Sequence, residues 1–185
     1  MQIKSKNELK SILRYEKDIY LPTRIKERLL FIFTGNERYL FFKYLKHLRH
    51  EEYYSGKGKL YLPLYLFYAR KKNKLGNKIN IKILPNFVDI GINIHHKGLI
   101  INGYVGKDCI FHGNNCIGNN IRDESEPELL PSIKDRVDFG YGSVVIGDVT
   151  VESDVRIGAG AVVIKDIPIE GATAVGVPAR IIEKP

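Results

Sequence analysis

A period of six residues runs through the second half of the chain. Counting back from Val163, every sixth residue is aliphatic or phenylalanine: Val163, Ile157, Val151, Val145, Phe139 and Ile133. Ile, Leu, Val and Phe make up 61 of 185 residues, so six hits in one frame would arise by chance about once in 700. The same period recurs in two shorter runs, Val105, Phe111 and Ile117, and Val88, Ile94 and Ile100.

A repeat this short predicts a β-solenoid, because it is too short for a helix pair or a propeller blade. Each hexapeptide forms one flat side, its periodic residue points inward, and three sides complete a coil whose stability depends on its neighbours. The frame breaks twice. One residue is missing between Ile100 and Val105, and a polar excursion separates Ile117 from Ile133. We expect this excursion, residues 119–132, to leave the stack as an acidic loop over the site.

The first 80 residues have a different pattern. Apolar residues recur at spacings of three and four within 6–20 and 37–54, which predicts amphipathic helices. Asn36 is placed to cap the second of them, after a turn at Gly35. We therefore expect a helical N-terminal region over 1–80, a β-solenoid domain over 81–175 and a C-terminal tail over 176–185.

The charge of the chain is unevenly distributed. Residues 1–80 carry 19 Lys and Arg against 7 Asp and Glu, whereas residues 81–185 carry 10 against 14. Such an asymmetry predicts an N-terminal surface that meets an anionic partner. No nucleic-acid motif accompanies the charge, so a membrane surface or an anionic glycan is the better candidate. A solvated basic face without a partner is the alternative.

The ends and the cysteines indicate a compartment. The start "MQIKSKNELKSILRYEKD" carries charges throughout and lacks the apolar run of a secretory signal. The densest apolar stretches fall below the roughly 18 residues that a transmembrane helix needs. Cys109 and Cys116 are the only cysteines and are expected to stay reduced. We expect a cytoplasmic protein, with peripheral contact at the inner face of the membrane as an extension of that prediction.

Two strings carry a family resemblance. The ending "IGAGAVVIKDIP" followed by "GVPARII" resembles the left-handed β-helix acyltransferases that use acetyl-CoA. The upstream segments "NIHHKGLIIN" and "IFHGNNCIGN" resemble the serine acetyltransferase branch, and most closely its relatives in capsule and exopolysaccharide clusters. The resemblance implies a mainly β fold, a left-handed parallel β-helix with a small α-helical N-terminal region. It also implies acetyl-CoA as donor, no metal, and a homotrimer rather than a hexamer, with active sites between neighbouring chains.

The same resemblance implies a histidine as general base. In that family the base lies two residues past an inward aliphatic residue, which from Ile94 gives His96. The count back from Asn102 fits His95 instead, so His95 is the second candidate. Transfer of acetyl to a hydroxyl needs a base with a near-neutral pKa. Asp89, six residues before His95, is expected to stack with it in one column on adjacent coils and to orient the base.

Further site residues follow from position in the resemblance. The cofactor is expected along the final coils, at Ser143, Ala159, Ala161, Lys165 and Arg180. His112 follows an inward Phe and is expected, with Asn114, to line the acceptor site. An amide ladder of Asn114 and Asn115 within the coil is the alternative for the asparagines.

The acceptor is predicted from what differs from the serine enzymes. They carry an aspartate just before the base and an Arg-His pair ahead of a proline; here those places are His95 and Leu129-Leu130. We therefore expect a sugar hydroxyl in capsule or exopolysaccharide biosynthesis, on a saccharide that is lipid-linked in one version of the hypothesis. Serine O-acetyl transfer is the alternative. From other classes, a zinc carbonic anhydrase built on His95, His96 and His112 and a non-catalytic solenoid scaffold stay open.

Overall fold

The structure, a computed structural model, describes residues 3–119 and 129–182. The chain divides into two units, Met1–Asn86 and Phe87–Pro185. Most of the loop predicted at 119–132, and the last three residues of the predicted tail, lie outside the described residues.

Helices form most of the first unit. They are α1 (Lys6–Tyr20), α2 (Ile25–Thr34), α3 (Glu37–Ser55) and α4 (Leu62–Ile79), with a 3₁₀ turn at Lys59–Tyr61 and strand β1 at Ile81–Ile83. A capping box begins α1, because Ser5 Oγ accepts from the N–H of Glu8 and the Glu8 carboxylate accepts from the N–H of Ser5. Asn36 Oδ1 accepts from the N–H of Arg38 at 2.9 Å, which confirms the predicted cap.

The core of this unit combines the predicted apolar stripes with buried ion pairs. The buried apolar side chains of α1 and α3 include Leu9, Ile12, Tyr20, Phe41, Tyr44, Leu45 and Leu48. Arg49 lies fully buried between Glu16 and Glu52, with N···O distances of 2.7 and 3.0 Å. Lys72 Nζ lies 2.8 Å from Glu51. Because these charged groups compensate one another, they specify how the helices pack as well as filling space.

The second unit is a parallel β-helix, as the six-residue period predicts. Its short strands lie on three faces. The first face holds β2 (Asn93–Ile94), β5 (Ile110–Phe111), β8 (Asp138–Phe139), β11 (Arg156–Ile157), β13 (Thr173–Val175) and β14 (Arg180–Ile182). The second holds β3 (Leu99–Ile101), β6 (Asn115–Gly118), β9 (Val144–Ile146) and β12 (Val162–Val163), and the third holds β4 (Tyr104–Val105), β7 (Ser132–Ile133) and β10 (Thr150–Val151).

Inward residues of successive coils stack in register. On the first face the stack is Ile94, Phe111, Phe139, Ile157 and Ala174. On the second face it is Ile101, Ile117, Val145 and Val163. These side chains are nearly inaccessible to solvent, so they form the continuous aliphatic strip that holds the coils together. The rings of Phe111 and Phe139 stack with centroids 4.6 Å apart.

One predicted inward residue is wrong. Ile100 is 45% exposed, whereas Leu99 and Ile101 on either side of it are buried. The offset between stacked residues is 17 for Ile94 and Phe111 but 16 for Ile101 and Ile117. One extra residue therefore lies in the corner between Ile94 and Leu99, and it shifts every later inward position of that side by one. This corner contains the pair His95-His96.

Candidate active site

Two histidines lie one above the other at a corner of the β-helix. His95 directly follows the inward Ile94 of β2, and His112 directly follows the inward Phe111 of β5. The N–H of His95 donates to the carbonyl of Phe111 at 2.9 Å, and the N–H of His112 donates to that of Phe139 at 3.0 Å. Because strand pairing fixes both backbones, the imidazoles meet edge to face, with centroids 4.7 Å apart and an angle of 83°.

Asp138 holds the second imidazole. Its Oδ1 lies 2.9 Å from His112 Nε2, and the two side chains are 37% and 40% exposed. Asp138 precedes the inward Phe139 on the next coil and pairs in register with Ile110, the residue before Phe111. A carboxylate on one ring nitrogen fixes the tautomer and the orientation of an imidazole. The result is a column in which Asp138 fixes His112 and His112 packs against His95.

His96 lies beside this column on the extended corner. It is exposed, whereas His95 is half-buried. The chain passes close to the next coil here: a Cβ added to Gly113 would come 2.8 Å from His96 Cβ and 3.2 Å from the Tyr141 ring. The φ of +115° at Gly113 also excludes other residues. The extra residue explains why the counts from the two sides of this corner point to different histidines.

Asp89 does not join the column, so the predicted stacking is wrong. A step of six residues moves along the chain to the next face of the same coil, and a full coil takes 16 to 18 residues. Val88 accordingly bridges Val105 on the third face, and the N–H of Asp89 donates to Val105. The Asp89 carboxylate accepts from the N–H of Ile90 at 2.8 Å. Sequence reasoning missed Asp138, whose signal was its place immediately before an inward residue one coil beyond His112.

The two asparagines after Gly113 have different roles. Asn114 is exposed and its amide donates to the hydroxyl of Tyr141, beside the histidine column. Asn115 is buried; its Oδ1 accepts from the N–H of Gly113 at 2.9 Å and its Nδ2 donates to Ser143 Oγ at 2.9 Å. Asn114 therefore faces the solvent side of the corner, while Asn115 fixes its backbone from inside. The alternative of a ladder between the two amides is not what the contacts show.

The predicted cofactor residues separate into two groups. Ser143 and Ala161 are fully buried in the interior of the coil, so the expectation that their side chains contact the cofactor is wrong. Ala159, Lys165 and Arg180 are exposed. The "GVPAR" string, 176–180, forms the turn between β13 and β14 and is fastened to β12: Val162 donates to Gly176 at 3.0 Å, and Ala179 donates to Val162 at 2.8 Å. This turn presents Arg180 beside the last coils.

Two searches bear on other classes of site. Within residues 3–119 and 129–182, no group of three His, Cys, Asp or Glu side chains is arranged to hold a metal ion. In the same part of the chain, no helix is long and apolar enough to cross a membrane.

Comparisons with known proteins identify the fold. No family profile matches the sequence, and no curated protein matches it. Among solved structures, serine acetyltransferase from Brucella abortus strain S19 matches with a TM-score of 0.72 and 22% identity over 96% of this chain and 70% of that one. The same enzyme in complex with coenzyme A gives 0.69 and 21% over 96% and 68%. Soybean serine acetyltransferase complexed with serine gives 0.69 and 20% over 94% and 69%.

These matches confirm the left-handed parallel β-helix with a small N-terminal helical region. They contradict the predicted acceptor. The matching structures are serine acetyltransferases, one of them with serine bound, so the prediction of a sugar hydroxyl in polysaccharide biosynthesis is wrong. The serine alternative is the one that they support. The substitutions at His95 and Leu129-Leu130 misled the prediction because they differ from the serine enzymes without identifying another acceptor.

Proposed function

We propose that this protein is an acetyl-CoA-dependent O-acetyltransferase that acts on the hydroxyl of serine. The observation that carries the proposal is the column of Asp138, His112 and His95 at one corner of a left-handed β-helix. It is supported by the structural likeness to serine acetyltransferases, among them complexes with coenzyme A and with serine.

In this proposal His95 is the general base. It takes the proton of the serine hydroxyl as the oxygen attacks the thioester carbonyl, and it returns that proton to the sulfur of coenzyme A as the C–S bond breaks. No covalent enzyme intermediate is needed, because a thioester is already activated. His95 is preferred to His96 because a base must be held in one orientation, and His95 is half-buried against the fixed ring of His112.

Asp138 and His112 act as positioning residues. Asp138 fixes the ring of His112, and that ring fixes the plane of His95 by edge-to-face contact. Asn114 and Tyr141, joined by a hydrogen bond on the same corner, are the proposed acceptor contacts. Coenzyme A is proposed to lie along the last coils, against Ala159, Lys165 and Arg180, the last two of which provide positive charge for its phosphates.

We also propose a homotrimer with active sites between subunits. The β-helix leaves large apolar side chains exposed on its flat faces: Ile100, Tyr104, Tyr141 and Ile164. Flat sides of this kind offer broad surfaces for a cyclic assembly. The mass of the purified protein by light scattering tests the trimer against a monomer and a hexamer.

The test of the reaction is release of free thiol from acetyl-CoA with serine as acceptor. Threonine and an aminosugar serve as comparison acceptors. We expect serine-dependent turnover that falls about 100- to 10,000-fold in His95→Gln and about 10- to 100-fold in Asp138→Asn. His96→Gln is the matched control, an imidazole next in sequence but outside the column, and should retain turnover.

Three results would contradict the proposal. Turnover that survives His95→Gln would remove the assigned base. Loss in His96→Gln alone would return the role to that residue. Binding of coenzyme A by calorimetry without thiol release for any acceptor would leave a binding protein. For Asp138→Asn, a positioning role predicts a lower kcat with an altered pH–rate profile, whereas a purely structural role predicts lost folded protein with an unchanged profile.

A further inference from the structure

Helix α2 is the most exposed apolar element of the helical unit. None of its ten residues is buried. Phe33 is 92% exposed, Ile25 is 72% exposed, and Leu29, Leu30 and Ile32 are also exposed. Isolated exposed apolar residues are ordinary on protein surfaces, but a contiguous set marks an interaction site.

The exposed side chains of α2 lie on one face. Ile25, Leu29, Ile32 and Phe33 occupy positions i, i+4, i+7 and i+8, the spacing of an apolar stripe on a helix. At 100° per residue, Lys26 lies at one border of this stripe and Arg28 at the other. Arg28 is held there by donating to the carbonyl of Pro22 at 2.9 Å. An apolar face bordered by cations is the pattern of a helix that lies in a membrane interface.

The charge of the surrounding surface favours the same partner. The first 80 residues carry 19 basic against 7 acidic residues, and three of the acidic ones, Glu16, Glu51 and Glu52, are buried in ion pairs. Four carboxylates therefore remain for the surface of this region. A second copy of the same unit would bring an equally cationic surface against the first, whereas an anionic bilayer is attractive to it.

We propose that α2 docks the protein on an anionic lipid bilayer. The helix lies in the plane of the headgroups. Ile25, Leu29, Ile32 and Phe33 enter the boundary of the acyl chains, and Lys26 and Arg28 extend to the lipid phosphates. This surface is independent of the proposed acetyl transfer, since it lies in the helical unit and shares no residue with the histidine column.

The experiment is co-sedimentation of the full chain with vesicles made of equal parts phosphatidylcholine and phosphatidylglycerol. Vesicles of phosphatidylcholine alone are the lipid control. We expect binding to the anionic vesicles that weakens with added salt, and binding to neutral vesicles at least about tenfold weaker. The double variant Leu29→Ser with Phe33→Ser should weaken binding by at least about tenfold, and Lys26→Gln by about fivefold.

A matched control is Leu60→Ser, which removes an 86% exposed apolar side chain from the same basic unit but outside α2. It should bind the anionic vesicles as the unmodified protein does. An equal loss in Leu60→Ser and in the α2 variant would overturn the assignment to α2. Equal binding to neutral and anionic vesicles, or no binding at all, would overturn the lipid proposal.

The other occupant of such a face is a second copy of the chain, and the same variants distinguish it. Sedimentation in lipid-free buffer should give the same mass for the unmodified protein and for Leu29→Ser with Phe33→Ser. A lower mass for the variant would show that α2 is a subunit interface and would contradict the proposal. Thiol release measured without lipid should be the same for both proteins, so failure of the docking proposal and failure of the proposed reaction give different results.

Discussion

The two units of this chain are stabilised in different ways. The β-helix stacks uncharged side chains in register, from Ile94 through Phe111 and Phe139 to Ile157. The helical unit buries Arg49 with Glu16 and Glu52, and Lys72 with Glu51. A periodic apolar core can be read from the sequence, because each coil repeats the same constraint. A core that depends on paired charges has no such period, and its members resemble surface residues until the partners are known.

The largest expected effect comes from breaking the buried charge cluster. Arg49→Met leaves Glu16 and Glu52 buried without their cation, and the free energy of unfolding of the helical unit should fall by about 3–5 kcal/mol. Hydrogen exchange of the amides of α1 and α3, followed by mass spectrometry, measures this loss within its own unit.

A matched control lies in the β-helix. Arg136 pairs with Asp154 at 2.6 Å, with both side chains about half exposed, so water solvates each charge when the other is removed. Arg136→Met should change the exchange of the β-helix little. Equal losses from Arg49→Met and Arg136→Met would mean that burial does not separate the two ion pairs, and the contrast between the units would fail.

A smaller effect tests the register of the β-helix. Ile101→Ala removes a buried side chain from the interior stack and should cost about 2–4 kcal/mol, whereas Ile100→Ala changes an exposed neighbour and should cost no more than about 0.5 kcal/mol. Urea denaturation of both variants measures the difference. A large loss from Ile100→Ala would show that another subunit covers this side chain, and a small loss from Ile101→Ala would return the predicted register.

The same pair of residues shows how far the sequence could be interpreted. From Ile133 to Val163 the six-residue frame is unbroken, and each predicted inward residue is inward. Before it, the extra residue at the His95-His96 corner made the frame ambiguous by one. Resolving the ambiguity needed strand register, because a single inserted residue can be assigned to either neighbour when only the spacing is known.

The candidate site was predictable in its location but not in its contacts. The family-like strings drew attention to His95, His96 and His112, and the structure brings His95 and His112 together. Asp138 was missed because it lies 26 residues from His112, beyond the excursion that interrupts the repeat. Asp89 was preferred because six residues were counted as a full coil. The helical unit shows the same limit, since Glu16 and Arg49 are 33 residues apart.

The smallest effect concerns acid and is specific to the helical unit. Burial, with Lys43, His50, Lys46 and Lys71 nearby, lowers the pKa of His47 from 6.5 to about 4. Between these values the unfolded chain binds a proton that the folded chain does not, so the free energy of unfolding falls as the pH falls. From about pH 7 to about pH 5 the loss should be on the order of 1 kcal/mol, since His47 keeps some contact with solvent.

His47→Gln tests the origin of that loss. The variant has no imidazole to protonate, so its helical unit should lose less stability between neutral and mildly acidic pH than the unmodified unit does. His50, whose pKa is also lowered by burial, remains in the variant and keeps part of the pH dependence. Hydrogen exchange at the two pH values, corrected for the intrinsic exchange rate, should confine the difference between the two proteins to the helical unit. An equal difference in the strands of the β-helix would mean that the two units unfold together, and the contrast between a core of paired charges and a core of stacked aliphatic residues would then not describe separate stabilities.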